Sequence, residues 1–457
     1  MMSASRVKPL DSPLSPDHAL PQRQGTVAIH THGCKLNQAD SNALAQRFIE
    51  AGYQLVDSIA EANIFVLNTC TVTATADAKA RQALRTARRI NPQALIVATG
   101  CYSQRAADEL TRLEAVSLVV TNTEKDNLVS LVMAARSKGH QAGPFRSGTG
   151  LKAAYRAPAD SPFLGRSRAM IKIQEGCDQV CAYCIVPKVR GRERSIPPEI
   201  LIEQINRHEE ESYKEVVLTG TQLGTYGFDL PGASLLTLLQ RILVETRVPR
   251  LRASSLQPQE INPELLELWQ DRRLCPHFHI PLQNGSDQIL KAMRRRYNTS
   301  GFAQTVELVR RTIPDAGITT DLIVGFPGEG DVEFQESRDF ARFIGFSDMH
   351  IFPYSPRPGT SAAYFKSQVP EPVKKERVSE MLALARQSFV EFRTQQLGQA
   401  RSVLWESARE RNGVPTWSGL TDNYIRVYTH SHRDLYNTIS LGQLMEVTDD
   451  LVYAQSS

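Results

Sequence analysis

What this chain has little of narrows its function first. No apolar run in its 457 residues approaches the roughly 18–20 needed to cross a bilayer, which excludes a helical membrane protein. The opening stretch MMSASRVKPLDSPLSPDHALPQRQG lacks the apolar core of a secretory signal, so the expected compartment is the cytoplasm. Net charge is scarce as well: 53 Lys and Arg against 49 Asp and Glu leave +4. That excess is too small to demonstrate a polyanionic partner, and only local basic clusters can speak for one. Cysteines number seven, an odd count that argues against a disulfide framework and for reduced thiols available to metal.

What is present is an ordinary globular composition, 41% hydrophobic and 22% charged, in a chain long enough for two or three domains. Residues 1–25, rich in Pro and Ser, read as a flexible leader. From 26 to 136 the runs TVAIHTHGC, NIFVLNTC and ALIVATGC alternate with helix-like segments. This rhythm predicts a parallel α/β sheet. The carboxyl edge of such a sheet is where ligands bind, and Cys34, Cys70 and Cys101 all fall there. A fourth run, AVSLVVTNTE, ends without a cysteine.

A Gly-, Pro-, Ser- and Arg-rich linker is expected over 137–166. Between 167 and 397 a second series, RAMIKIQEGC, EVVLTG, RLRASS, HFHIPLQ, ITTDLIVG and SDMHIFPYS, predicts six strands of a partial or complete parallel barrel. A charged helix over roughly 371–397 closes the series. From 398 to 455, RSVLWES, NYIRVYTH and QLMEVTDDLVYAQ alternate with a period of two and predict a small β-barrel.

The densest signal is MIKIQEGCDQVCAYCIVP, with Cys177, Cys181 and Cys184 within eight positions. Compact thiolates suit zinc or an iron–sulfur cluster. Structural zinc wants four protein ligands, and no fourth Cys or His lies nearby, although a remote His208 could complete such a site. A cubane cluster has four irons, so three cysteines would leave one iron open for chemistry.

The segment GCDQVCAYCIVPKVRGRERS resembles the CxxxCxxC loop of radical S-adenosylmethionine enzymes, and more narrowly that of the methylthiotransferases, over about residues 26 to 455. The resemblance implies a [4Fe–4S] cluster on Cys177, Cys181 and Cys184 whose open iron binds S-adenosylmethionine, cleaved to a 5′-deoxyadenosyl radical. THGCKLNQADS, LNTCTVTATAD and ATGCYSQR look like the family's other three cysteine motifs. They imply a second [4Fe–4S] cluster on Cys34, Cys70 and Cys101 that carries sulfur, with a second S-adenosylmethionine donating methyl. EVVLTGTQLGTYG resembles a family segment beside the cofactor and implies roles for Thr219, Gly220, Gln222 and Gly224. RLRASSLQP, HIPLQNGSDQILKAMRRRY and TTDLIVGFPGEGDVEF match in order, placing Ser254, Ser255, Gln283, Ser286 and Asp321 at or just past strand ends. Beyond the clusters, no catalytic side chain is implied.

Lys188, Arg190, Arg192 and Arg194 follow the loop and are candidates for RNA phosphate contact. Lys291 and Arg294 to Arg296 read equally as RNA contacts or a solvated helix face. The tail resembles the TRAM domain, a small RNA-binding barrel, with Tyr424, Arg426 and Tyr428 as candidate contacts. Strand alternation must turn half of these inward. His277 and His279 alternate on a strand as core or pocket lining, and Cys275 reads as a lone buried thiol.

GCKLNQAD is closest to the motif of MtaB-type enzymes. The expectation is a tRNA methylthiotransferase acting on N6-threonylcarbamoyladenosine at position 37, beside the anticodon. Alternatives within the family act on isopentenyladenosine or a ribosomal protein; outside enzymes, an iron–sulfur RNA-binding protein fits the same motifs. The resemblance also implies an electron donor such as flavodoxin or ferredoxin and a sulfur donor; a monomer is expected, and the lack of long apolar runs predicts no membrane partner.

Overall fold

A computed structural model describes residues 24–137, 145–146, 167–411, 413–448 and 451–456. Nearly all of the expected leader and most of the 137–166 linker lie outside these residues. Among the described residues no helix is long and apolar enough to cross a membrane.

The first layer runs β1 (Gly25–Thr31), α1 (Lys35–Glu50), β2 (Tyr53–Leu55), β3 (Ile64–Thr69), α2 (Ala74–Ile90), β4 (Leu95–Gly100), α3 (Cys101–Arg105), α4 (Ala107–Thr111), β5 (Leu118–Val119), α5 (Leu128–Ser137) and β6 (Phe145–Arg146). These strands make a six-stranded parallel sheet in the order β2-β1-β3-β4-β5-β6. Every residue of β3 and β4 is buried, as expected of central strands covered on both faces. Leu67, Ile96 and Ala98 pack under α2 on one face, while Val66 and Val97 meet Leu44, Phe48 and Val132 on the other. Strand ends turn sharply into helices at the cysteines. Gly100 has φ +98, and a Cβ there would sit 2.5 Å from the Thr69 carbonyl oxygen, so glycine is needed just before Cys101.

The second layer runs β7 (Arg168–Lys172), β8 (Gln174–Glu175), α6 (Val186–Arg190), β9 (Arg194–Ser195), α7 (Pro198–Glu210), β10 (Glu215–Thr219), α8 (Leu235–Glu245), β11 (Arg250–Ala253), α9 (Pro263–Glu267), β12 (His277–His279), α10 (Asp287–Ala292), α11 (Thr299–Thr312), β13 (Gly317–Val324), α12 (Asp331–Ile344), β14 (Asp348–Pro353) and α13 (Glu371–Gln395). Two three-stranded parallel sheets, β11-β10-β7 and β12-β13-β14, join through parallel bridges Leu251 to Leu274 and Ser255 to His279. The result is an open six-stranded arc, the expected partial barrel, with α1 of the first layer packed against its β7 edge. Alternate residues such as Ala169, Ile171, Val216, Leu218, Phe278 and Ile318 face the helices and form the largest core. The opposite parity, including Arg168, Glu215, Arg252, His277, Thr319 and Asp321, turns into the lumen.

The third unit comprises β15 (Ala400–Arg411), β16 (Val414–Thr421), β17 (Arg426–His430), β18 (Ile439–Thr448) and β19 (Leu451–Ser456), closed in the order β15-β16-β17-β19-β18 around Val403, Trp405, Trp417 and Val427. Its β16–β17 turn docks against the amino ends of the arc strands. Arg250 donates to the carbonyls of Leu420 at 3.0 Å and Thr421 at 2.9 Å, and Arg252 to that of Asp422 at 3.0 Å. A Cβ at Gly317 would stand 2.3 Å from the Asn423 carbonyl oxygen, which shows how closely the turn seats.

Candidate active site

The three-cysteine loop leaves β8 through Gly176, whose φ of +81 and lack of side chain are both required: a Cβ would lie 1.9 Å from the Arg192 carbonyl oxygen. Backbone hydrogen bonds pin the loop, with Cys177 N donating to Gly191 O at 3.1 Å and Ala182 N to Met293 O at 3.0 Å. Gln179 N reaches the Cys177 sulfur at 3.4 Å, and Arg295 Nη1 reaches that of Cys181 at 3.3 Å. Burial pushes the Cys177 thiol up to about 11 and that of Cys184 up to about 12. Thiols of this kind are protonated when metal-free and release protons as metal binds.

The other three cysteines converge as their strand-end positions predict. A Cβ on Gly33, the neighbour of Cys34, would stand 2.9 Å from Cys70 Cβ. Burial, joined by the neighbouring Cys101 and Cys34, raises the Cys70 thiol to about 11. Asn122 Nδ2 lies 3.8 Å from the Cys101 sulfur and donates to Val189 O at 2.8 Å. Cys101 also packs on Ile185 and Val189, residues just past Cys184. The two cysteine trios therefore adjoin across α6.

Neither trio brings its three sulfur atoms all within 4.8 Å of one another. A tetrahedral zinc with Zn–S bonds near 2.3 Å draws its sulfurs to roughly 3.8 Å, so the wider donor sets suit an iron–sulfur cluster better. His208 pairs with Glu211 at 3.0 Å and packs on Tyr213, which removes it as a remote zinc ligand.

The turn after β10 lies directly beside the loop. Gln174 Oε1 accepts from the backbone N–H groups of Thr221 and Gln222, both at 3.0 Å, while its Nε2 donates to Gly176 O at 2.9 Å. Gly224 is pressed on Glu260: a Cβ would lie 2.1 Å from its carboxyl carbon. Gln222 bonds Glu260 and accepts from Gln257 at 2.5 Å, Gln257 reaches Gln179 at 3.1 Å, and Arg295 Nη2 donates to Gln257 at 3.1 Å. Gln222 and Gly224 thus share a network with the loop, while Thr219 O accepts from Ile173 N at 2.9 Å and a Cβ on Gly220 would stand 3.1 Å from Gln174 O. Gln174, Gln179, Gln257 and Glu260 are further members that carried no signal in the sequence.

Ser254 is buried, its N–H bound to Leu218 O at 3.0 Å. Ser255 bridges to His279, and Gln283, at φ +67, exchanges backbone bonds with Asp321 and Ile323. Asp321 is gripped by two imidazoles, His350 Nδ1 at 3.1 Å and His279 Nε2 at 3.2 Å. Burial works against ionisation of Asp321, but these two hydrogen bonds hold its carboxyl well below the usual range. Among the described residues, His279, Asp321 and His350 are also the one trio of candidate ligand atoms within 4.8 Å of one another. His350 gave no signal in the sequence. Cys275 is buried, as expected, with its sulfur 4.0 Å from Glu215.

Three candidate RNA contacts are corrected. Arg190 is 6% exposed and faces inward, its Nη1 2.7 Å from Glu175 and 3.2 Å from Asp40, with Nη2 on Asn37. Arg295 serves the Cys181 loop. Tyr424 stacks on His277 with ring centroids 4.0 Å apart and Arg252 over its ring, a contact that occupies the face a base would need. Arg192 and Arg194 remain on the surface, and their side chains are 85% and 71% exposed. Arg426 pairs with Glu406, and Tyr428 lies half-buried against Tyr453.

Comparison with known proteins agrees with this geometry. Residues 26–121 match an uncharacterized protein family, UPF0004, and residues 171–341 the radical SAM superfamily. The chain is 38% identical over 91% of its length to the threonylcarbamoyladenosine tRNA methylthiotransferase MtaB of Bacillus subtilis, covering 92% of that protein. It is 38% identical over 90% of its length to the MtaB of Aquifex aeolicus, covering 98% of it. A tRNA-2-methylthio-N(6)-dimethylallyladenosine synthase of Methylacidiphilum infernorum is 33% identical over 89% of this chain and 90% of its own. Among solved structures, the radical S-adenosylmethionine methyltransferase TsrM of Kitasatospora setae, with cobalamin and a [4Fe–4S] cluster bound, superposes with a TM-score of 0.53 at 13% identity over 74% of each chain, a likeness of fold. The chain belongs to the radical S-adenosylmethionine methylthiotransferase family, in its MtaB-type branch.

Proposed function

We propose that this enzyme converts N6-threonylcarbamoyladenosine at position 37 of tRNA to its 2-methylthio derivative. The observation that carries the reading is the meeting of two three-cysteine sets across α6, beside one lumen. Cys177, Cys181 and Cys184 would hold one [4Fe–4S] cluster, and Cys34, Cys70 and Cys101 the other. With S-adenosylmethionine bound, these groups would supply the radical chemistry needed at adenine C2 and the methylated sulfur. An aromatic C–H has no acidity a side-chain base could use, which is why the cofactor carries this step.

The side chains position and exclude. Thr219 to Gly224, tied to the loop through Gln174 and Gln257, form the wall where S-adenosylmethionine would lie beside Ser254, Ser255 and Gln283. Asp321, clamped by His279 and His350, offers a fixed anionic edge to the lumen. Lys188, Arg192 and Arg194, with Arg426 of the barrel, are the surface cations suited to the RNA backbone. The domain limits at 26–136, 167–397 and 398–455, a cytoplasmic site of action, a monomeric state, a flavodoxin- or ferredoxin-type electron donor and a separate sulfur donor belong to the same reading.

Nucleoside mass spectrometry of tRNA from cells with and without the gene tests it. Loss of 2-methylthio-N6-threonylcarbamoyladenosine is expected. Loss of the isopentenyl product in its place would move the enzyme to the other tRNA branch, and anaerobically reconstituted protein lacking iron and sulfide would end the reading.

A further inference from the structure

Five cations line or border the inner face of the arc, and four are answered by carboxylates. Arg168 Nε lies 2.6 Å from Glu406, Lys172 Nζ 2.8 Å from Asp40 and 3.0 Å from Glu175, and Arg250 and Arg252 share Glu215 at 2.9 Å each. Lys35 is the exception. It begins α1 immediately after Cys34 and points from the first layer into the second. Its ammonium stands 5.5 Å from the centroid of the Tyr424 ring, and among the described residues no carboxylate oxygen comes within 4.0 Å of it.

Its surroundings have the form of a receptor rather than an ion pair. Tyr424 and His277, stacked 4.0 Å apart with their planes nearly parallel at 6°, make a two-ring aromatic floor. That floor is fixed from below by the β16–β17 turn and from the side by Thr319, whose hydroxyl meets His277 Nε2 and His279 Nδ1 at 3.0 Å each. An ammonium half-withdrawn from water with no counter-ion is costly unless an anion arrives to meet it. The residue's place next to Cys34 puts that anion close to the cysteine set that would carry sulfur.

We propose that Lys35 is a specificity-determining residue that receives the carboxylate of the amino acid carried on N6 of the substrate adenosine, above the floor of Tyr424 and His277. This deepens, and rests on, the proposed tRNA substrate. The carboxylate is the group that separates an aminoacyl-type extension from an isopentenyl one. An apolar extension leaves the ammonium unpaired, so the same residue that attracts one substrate penalises the other.

The test uses the full-length, anaerobically reconstituted enzyme with three anticodon stem–loop RNAs. They carry N6-threonylcarbamoyladenosine, its carboxylate methyl ester, or N6-isopentenyladenosine. Wild type is expected to favour the acid over the ester at least tenfold in kcat/KM, chiefly through KM. Lys35→Met is expected to raise KM for the acid at least tenfold and bring the acid-to-ester ratio towards one, and Lys35→Arg to keep most of the preference. Iron content reports whether a variant is intact; should Lys35→Met lose iron, the ester comparison on wild type decides alone. Equal turnover of acid and ester by wild type, or an unchanged ratio in an iron-replete Lys35→Met, would overturn the assignment while leaving the tRNA activity standing. Wild-type activity on the isopentenyl RNA alone would overturn both.

Discussion

Arg190 Nη1 lies 3.2 Å from Asp40 Oδ2 and 2.7 Å from Glu175 Oε1, so one buried guanidinium joins the helix that follows Cys34 to the strand that precedes Cys177. Lys125 at 2.9 Å and Lys172 at 2.8 Å converge on the same aspartate. The network ties one cysteine set to the other, beside the packing of Cys101 on Ile185 and Val189. Burial opposes ionisation of Asp40, but its three cationic neighbours keep the carboxyl well below the usual range.

Replacing Asp40 by Asn would leave buried Lys125 and Arg190 and half-buried Lys172 without their shared anion. We expect a loss of about 3–5 kcal/mol, the cost of breaking a buried pair from one side, read from urea unfolding of the metal-free protein. Methylthio product should fall further than 5′-deoxyadenosine formation, because the distance between the sets is disturbed and the loop of Cys177 to Cys184 is not. Equal losses of both would show that the network supports only the fold.

The triple replacement of Cys34, Cys70 and Cys101 by Ala should leave iron and sulfide at about half the wild-type content after reconstitution, since each set serves one cluster. Methylthiolation of RNA should disappear. Full iron retention would remove these three residues from the ligand list.

Arg295 donates to the Cys181 sulfur and is held between Gln257 and Tyr297. A hydrogen bond to a ligating thiolate stabilises the reduced cluster. Arg295→Met should therefore make the midpoint potential of that cluster more negative, with iron content preserved, in a potentiometric titration followed by EPR. An unchanged potential would assign Arg295 to packing alone.

Glu215 is buried beneath Arg250 and Arg252, and these guanidiniums hold its carboxyl near 2, against the effect of burial and below its ordinary 4.5. A carboxyl depressed in the fold contributes stability in full above about 4.5 and loses it as pH falls through about 2. The wild-type protein should shed about 3 kcal/mol across that window by this group. Glu215→Gln should start less stable and show a flatter acid limb in unfolding measured from pH 5 to 2.5. A parallel limb in the variant would place the acid sensitivity elsewhere.

Much of this arrangement was legible in the chain. TVAIHTHGC, NIFVLNTC and ALIVATGC each end an apolar run in a cysteine, and a strand that stops at a sheet edge leaves its last residue there. Six apolar runs became the six strands of the arc for the same reason. The tail is less legible, with three strand-forming runs where the barrel has five strands: β16, VPTWSGLT, carries Pro415, Ser418 and Gly419 among its apolar positions, and QLMEVTDDLVYAQ holds parts of both β18 and β19. The buried charges were read worst. Arg190 and Arg295 look in sequence like any basic cluster, and only long-range partners, Asp40 for one and the Cys181 sulfur for the other, turn them inward. Tyr424 and Lys35 become neighbours through three separate units, a relation with no local signature.

The docking of the β16–β17 turn on Arg250, Arg252 and Gly317 has a bearing on how such chains can be rearranged. The C-terminal barrel supplies part of the chamber's own floor, through Tyr424, and so is more than a handle hung on the catalytic body. Grafting a relative's tail onto this chain would change what the chamber accepts along with whatever the tail grips, and cutting the tail away would open the chamber at its base.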